Sequence, residues 1–355
     1  MEAEIRLVQR LKSELDKVRF DAVWPDFKRE PYALYNKNGV WLEDGRIDWD
    51  ERFMGNTSIR FNDGFLAIWR VDSPADQDAE ELAAGLAHEM FHAYQMSNGW
   101  ASFPNDLEAL DYPYEAVNLQ MKSLENQYLV KGLEEQDEMK KRCCLQRFIG
   151  LRKKREALIN SAIKNEYLAE TVEGSAEYAG LMALRQINNK KHLNKLEQYK
   201  SKLKNPGSLL FDARRMSYYA GALLIMLALE LGYRGIYASG AGSETVFERI
   251  ADSIEGTEPD DIEPEDWLKA AVRDHEKWLE GRFNDFFKLP RERICGRFEI
   301  CGYDPMNMVK RGDRIICDHF IMLCGIPNGD KQLLHGPVVV ELEKGAASRV
   351  VSYYI

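Results

Sequence analysis

The chain has 355 residues, of which 45% are hydrophobic and 30% charged, a composition that fits two or three folded units and excludes a mainly disordered protein. Its 48 basic residues face 58 acidic ones, a formal charge of −10, which argues against general affinity for nucleic acid or anionic membranes.

The first twenty residues place Ile5, Leu7, Val8, Leu11, Leu15 and Val18 close to a helical stripe, predicting an amphipathic opening helix. That stretch is charged throughout and has no apolar h-region, so no secretory signal is read and a cytoplasmic protein is expected. From Asp21 to Asp72 the pattern shortens. Short strands are predicted around Leu34 and Trp41, then a hairpin of residues 57–61 and 65–71, with Asp63-Gly64 supplying the positive φ of a tight turn.

Residues 80–96 contain His88-Glu89-Met90-Phe91-His92, an H-E-x-x-H motif. Leu82, Ala83, Leu86, Ala87, Met90, Phe91 and Tyr94 recur at helical spacing, and Ser73-Pro74 reads as the helix start. On a helix the two histidines share one face, and the glutamate beside His88 lies near any metal-bound water without being a ligand. A catalytic zinc needs a third protein ligand. The candidate is Glu173, in Glu170-Thr171-Val172-Glu173-Gly174-Ser175-Ala176-Glu177-Tyr178, with Glu170 one turn earlier as the alternative.

H-E-x-x-H followed by a helix carrying E-x-x-[SA]-[DE] resembles the gluzincins, the thermolysin-like zinc metallopeptidases, and EGSAEY resembles the E-G-x-A-E-Y form of many bacterial members. The resemblance implies one zinc ion per chain held by His88, His92 and Glu173, with Glu89 as general base. It also implies Glu177 as the carboxylate that accepts a hydrogen bond from a ligand histidine and so sets its orientation and basicity. In that family a sheet edge binds the substrate backbone; here the strand of residues 65–70 or its partner would serve. Two departures stand out. Val172 occupies the place of the asparagine in thermolysin itself, and Glu173 follows His92 by 81 positions, implying an insertion between the metal helices. Residues 95–104 hold no further histidine, which argues against the metzincin branch.

Beyond Pro113 a helical region runs to residue 188. Residues 120–141 are read as a surface insertion, and the basic clusters around Lys141 and from Arg152 to Arg155 as solvated faces. Gly174, Ser175 and Ala176 would allow the two metal helices to approach closely. Residues 189–206 read as an exposed connection. Residues 216–231 form an apolar helix stopped by Gly232, and its longest apolar run is too short to span a bilayer. By the same resemblance Tyr218 or Tyr219 would donate to a developing oxyanion; the other reading is tyrosine at the end of a core helix. Arg214 and Arg215 are candidate binders of a substrate carboxylate. His192, His275, His319 and His335 belong to no motif and are read as non-catalytic.

Helices at 243–254 and 264–287 are followed by alternating strands at 293–301, 313–323, 337–342 and 349–355, with Arg311-Gly312-Asp313 as a turn. The six cysteines lack paired C-x-x-C spacing and are expected to be reduced. The expected organisation is α+β: residues 1–98 a zincin-like subdomain with a small sheet and the H-E-x-x-H helix, 99–288 mainly helical with the third ligand, 289–355 a small β unit. The expected activity is zinc-dependent hydrolysis of a peptide or protein substrate, with no nucleic-acid or membrane partner. The alternatives are an interaction protein that keeps the zincin scaffold without turnover, and a zinc hydrolase of a non-peptide amide.

Overall fold

A computed structural model describes residues 2–100, 102–240, 242 and 244–355. The fold is α+β. Helix α1 (Glu2–Leu15) buries Leu7, Val8, Leu11 and Leu15 and leaves Ile5 outside. Strands β1 (Tyr32–Asn36), β2 (Gly39–Leu42), β3 (Gly45–Ile47), β4 (Thr57–Phe61) and β5 (Gly64–Arg70) form one sheet in the order β3-β2-β1-β5-β4. Only β1 and β5 run parallel. The tight turn joining β4 to β5 is Asn62-Asp63, since Phe61 pairs with Gly64, and the positive φ falls on Asn62 rather than on an Asp-Gly corner.

Helix α2 (Ala79–Ser97) carries the motif. Its cap is Asp78, whose side chain accepts from the Glu80 and Glu81 N–H groups, while Ser73-Pro74 opens a separate short 3-10 turn. A carboxylate at this position satisfies orphan N–H donors and complements the helix dipole. Short helix α3 (Asp106–Ala109) leads to α4 (Ala116–Glu134), α5 (Glu138–Ile159) and α6 (Ala162–Ile187).

The predicted surface insertion is at the surface only in its second half: residues 136–140 are exposed, whereas Gln120, Lys122, Glu125, Asn126, Leu129 and Val130 are buried. Lys122 and Glu125 of α4, Arg152 and Arg155 of α5, and Glu166 and Glu170 of α6 form an ion network in which both arginines are fully inaccessible. Three cations meet three carboxylates, so burying them leaves no net charge. A buried network of this kind erases the apolar periodicity by which a core helix is recognised.

The expected connection at 189–206 is largely helix α7 (Asn189–Lys204), with His192, Tyr199 and Leu203 buried. Helix α8 (Ala213–Glu230) follows and ends before Gly232 at φ 86°. Gly174 of α6 faces Gly221 of α8 so closely that an added Cβ would lie 2.6 Å from the Gly221 Cα. The small-residue contact therefore brings α8, not α2, against the segment bearing Glu173. The close approach of α2 to α6 occurs instead at Gly180, where a Cβ would meet the Ala84 carbonyl at 2.8 Å.

After α9 (Val246–Ser253) and α10 (Asp266–Phe287), seven strands build a second, antiparallel sheet: β6 (Arg293–Tyr303), β7 (Met308–Arg311), β8 (Arg314–Cys317), β9 (Phe320–Gly325), β10 (Lys331–His335), β11 (Val338–Leu342) and β12 (Arg349–Tyr354). Ser243, the predicted start of α9, lies outside the described residues. The predicted strand at 313–323 is two strands, broken at Asp318-His319, and Gly312-Asp313 is the two-residue turn between β7 and β8. Cys301 and Cys324 are disulfide-bonded, contrary to the expectation of six free thiols; β6 and β9 pair side by side and bring their Cα atoms to 6.1 Å. Leu107 of α3 sits in the core of this sheet with Ile300, Met308 and Ile315, which docks the β unit on the helical body. No helix among the described residues is long and apolar enough to cross a membrane.

Candidate metal centre

His88 and His92 project from one face of α2, and Glu173 approaches from α6. The three atoms that converge are His88 Nε2, His92 Nε2 and Glu173 Oε2, separated by 3.1, 3.2 and 3.7 Å. Ligands at about 2.0–2.1 Å from a tetrahedral zinc ion are about 3.3–3.4 Å apart. The observed triangle matches that edge, so the donor set fits such an ion in both chemistry and size.

Each donor is held from behind. His88 Nδ1 lies 2.9 Å from Glu177 Oε2, and the other oxygen of Glu177 accepts from the Tyr199 hydroxyl. His92 Nδ1 lies 2.7 Å from Gln95 Oε1, while Gln95 Nε2 donates to the Val172 carbonyl at 2.8 Å. That second bond fixes which way the Gln95 amide points. Both rings therefore have Nδ1–H committed behind them, so that once a second proton is displaced each turns a lone pair at Nε2 towards the site. Glu173 Oε1 accepts from Arg214 Nη2 at 2.8 Å, leaving Oε2 for the histidines, and Arg214 is in turn paired with Asp106 of α3.

Sequence reasoning missed Gln95 and Tyr199. Gln95 stands three residues after His92 on the same helix, a spacing that could have exposed it.

Burial opposes a charge on His88, yet the Glu173 and Glu177 carboxylates outweigh it and push the imidazole up to about 10. For Glu173 burial is likewise overcome, by His92, His88 and Arg214, and its carboxyl is held well below the usual range. Burial pushes the Glu89 carboxyl up despite the nearby histidines.

The centre lines a cavity of about 650 Å³. Glu89 and Tyr218 share its wall with the three converging donors. The Tyr218 ring stacks on His88 with centroids 5.9 Å apart, and burial together with the Glu173 charge raises its hydroxyl so that it keeps its proton. Tyr219, one position on, points elsewhere, because neighbouring residues on a helix diverge by about 100°. Its hydroxyl accepts from Lys202 and its ring packs on Tyr199. Arg214 reaches the cavity but is engaged by Glu173 and Asp106. Arg215 is exposed and bonds Asp212 and the Met306 carbonyl outside it. Glu170 is bound to Arg152 and Lys122 in the buried network and is absent from the metal set.

Comparison of the chain with known families, curated proteins and solved structures finds no match. The geometry alone therefore carries the functional reading.

On one side the cavity is bordered by Gly55, Asn56 and Thr57, at the start of β4. Strand β4 ends its sheet and is tied to α2 by the Ser58 hydroxyl, which donates to the Glu89 carbonyl at 2.5 Å. On the other side stand residues of the second sheet, including His319, which the sequence offered no reason to place there.

Proposed function

We propose that this chain is a zinc-dependent peptidase of the gluzincin type. The observation that carries the reading is the triangle of His88, His92 and Glu173 donor atoms at tetrahedral edge lengths, with the Glu89 carboxylate beside it in an open cleft. Zinc held there would supply Lewis-acid chemistry, activating a water and polarising the scissile carbonyl.

Glu89 takes the water's proton and passes it to the leaving amine. Its burial favours the protonated form and so brings its basicity towards the operating range of a general base. Tyr218 donates from its hydroxyl to the carbonyl oxygen as charge develops there. Strand β4, at the free end of its sheet, offers main-chain groups to an extended peptide.

The test is elemental analysis followed by cleavage of a pool of quenched-fluorescent peptides. About one zinc per chain is expected, with cleavage lost on chelation and regained on adding zinc. Protein that neither contains nor takes up zinc would sink the reading.

Proton linkage gives a second expectation. With its pKa raised to about 10, His88 holds a proton at neutral pH in the metal-free protein, and zinc has to displace it. Apparent zinc affinity should therefore rise by about tenfold for each pH unit through the neutral range. Competition against a chromophoric chelator measures this, and calorimetry in buffers of different ionisation heat should register about one proton released. A flat affinity profile would show that the free histidine is already neutral.

A further inference from the structure

The second sheet reaches the cleft through two segments, the corner of residues 303–307 after β6 and the tip at His319-Phe320 between β8 and β9. They are bonded to each other: the Asp318 N–H donates to the Asn307 carbonyl at 2.9 Å. The Asp304 carboxylate accepts from three donors, the Met306 N–H at 3.0 Å, Asn307 Nδ2 at 2.8 Å and His319 Nδ1 at 2.6 Å. The His319 carbonyl meanwhile accepts from the Gly336 N–H at 2.7 Å.

His319 is thus fixed by both its ring and its backbone, although its side chain is 53% exposed. Holding an exposed ring in one orientation costs side-chain freedom, which the Asp304 contact offsets. Asp304 has its oxygens occupied and serves as a holder. What the arrangement leaves is His319 Nε2, without a protein partner among the described residues, on a residue that lines the same cavity as Glu89, His88, His92 and Glu173.

Nδ1 is committed to the carboxylate, so whenever the ring carries a single proton Nε2 is left as a hydrogen-bond acceptor. An acceptor fixed in this way suits a main-chain N–H. Tyr303, Met306 and Phe320 give the same wall an apolar surface, facing the cavity that β4 borders on its other side.

We propose that the C-terminal β unit is the second wall of the substrate cleft. His319 Nε2 accepts a main-chain N–H of an extended peptide, and an adjacent apolar side chain lodges against Tyr303, Met306 and Phe320. The nature of the occupant rests on the peptidase reading; the contact itself rests on the geometry of the wall.

The test uses the full chain, zinc-loaded and carrying Glu89→Gln so that bound peptide is not consumed. The probe is a fluorescein-labelled pool of unstructured octapeptides rich in leucine and phenylalanine, read by polarisation. Adding His319→Ala should raise Kd about tenfold, the worth of one hydrogen bond to the ligand, at unchanged zinc content. His319→Gln, whose amide oxygen can accept the same N–H, should recover part of the loss. With Glu89 intact, the larger part of the His319→Ala effect should fall on KM rather than kcat. Binding and KM that ignore His319 would overturn the proposal, and so would failure of the parent protein to bind the pool. If peptides bind through His319 but are never cut, the peptidase reading fails while this contact stands. Cleavage with a His319-independent KM has the opposite meaning.

Discussion

Replacing Glu89 by glutamine is expected to lower kcat by about 10²–10⁴-fold, the usual worth of a positioned general base, while zinc content stays at one per chain. Glutamine keeps the volume and the hydrogen-bonding shape but cannot take a proton. Zinc should be retained because the converging donor atoms belong to His88, His92 and Glu173 alone. The same substitution should stabilise the zinc-free protein. Burial raises the Glu89 carboxyl, so at neutral pH its ionised form is disfavoured in the fold relative to the unfolded chain. That penalty vanishes at low pH, where the group is protonated, and grows as pH rises. Thermal unfolding of the metal-free protein should accordingly show the variant's gain absent in acid and growing as pH rises from the ordinary carboxylate range through the raised value. Loss of zinc together with activity would mean that Glu89 is a ligand, and undiminished cleavage would remove it from the mechanism.

The parts of this site that sequence exposed are those whose geometry is local. His88 and His92 are four apart on one helix, as are Glu173 and Glu177, so spacing alone sets their shared faces. The residues it missed act across elements. Gln95 gains its meaning from the Val172 carbonyl on α6, and His319 from a corner of β6 and a cleft formed by another sheet. Cys301 and Cys324 are 23 positions apart and become neighbours only once β6 pairs with β9. Tyr218 and Tyr219 show the limit sharply: one helix step separates a residue stacked on His88 from one bonded to Lys202.

The fold was legible where apolar residues repeat. It was misread where they do not. Helix α7 carries its inward positions at His192, Leu196, Tyr199 and Leu203, a helical spacing concealed by the lysines around it. Residues 120–141 and the cluster from Arg152 to Arg155 looked solvated because they are charged. Among them Lys122, Glu125, Arg152 and Arg155 form one network with Glu166 and Glu170 across α4, α5 and α6, and a hydropathy pattern cannot distinguish a paired charge from a solvated one.

That network yields the largest expected loss of stability. Arg155→Met should destabilise the fold by about 3–5 kcal/mol, because removing one partner strands the others in a site water cannot reach. Arg155 is fully buried and bonds Glu125 at 2.8 Å, Glu166 at 2.6 Å and Asn118 at 2.9 Å, with the Tyr112 hydroxyl as a fourth partner. Exposed pairs offer the contrast: breaking Lys204–Glu134 should cost under about 1 kcal/mol. Urea unfolding monitored by circular dichroism measures both, with a midpoint shift at constant slope as the mark of lost stability.

Acid should sharpen the difference. Burial opposes charge on Glu166, but Arg155, Lys122 and Arg152 overcome it and hold the carboxyl well below its ordinary value. Its contribution is therefore present above that ordinary value and is lost as pH falls through the depressed one. Without Arg155 the depression shrinks, and the variant should unfold at a higher pH than the parent. The metal centre should register the damage as well. Glu170 is clamped in the network one turn before Glu173 on the same helix, so a folded Arg155→Met protein should bind zinc more weakly, whereas the Lys204–Glu134 control should not.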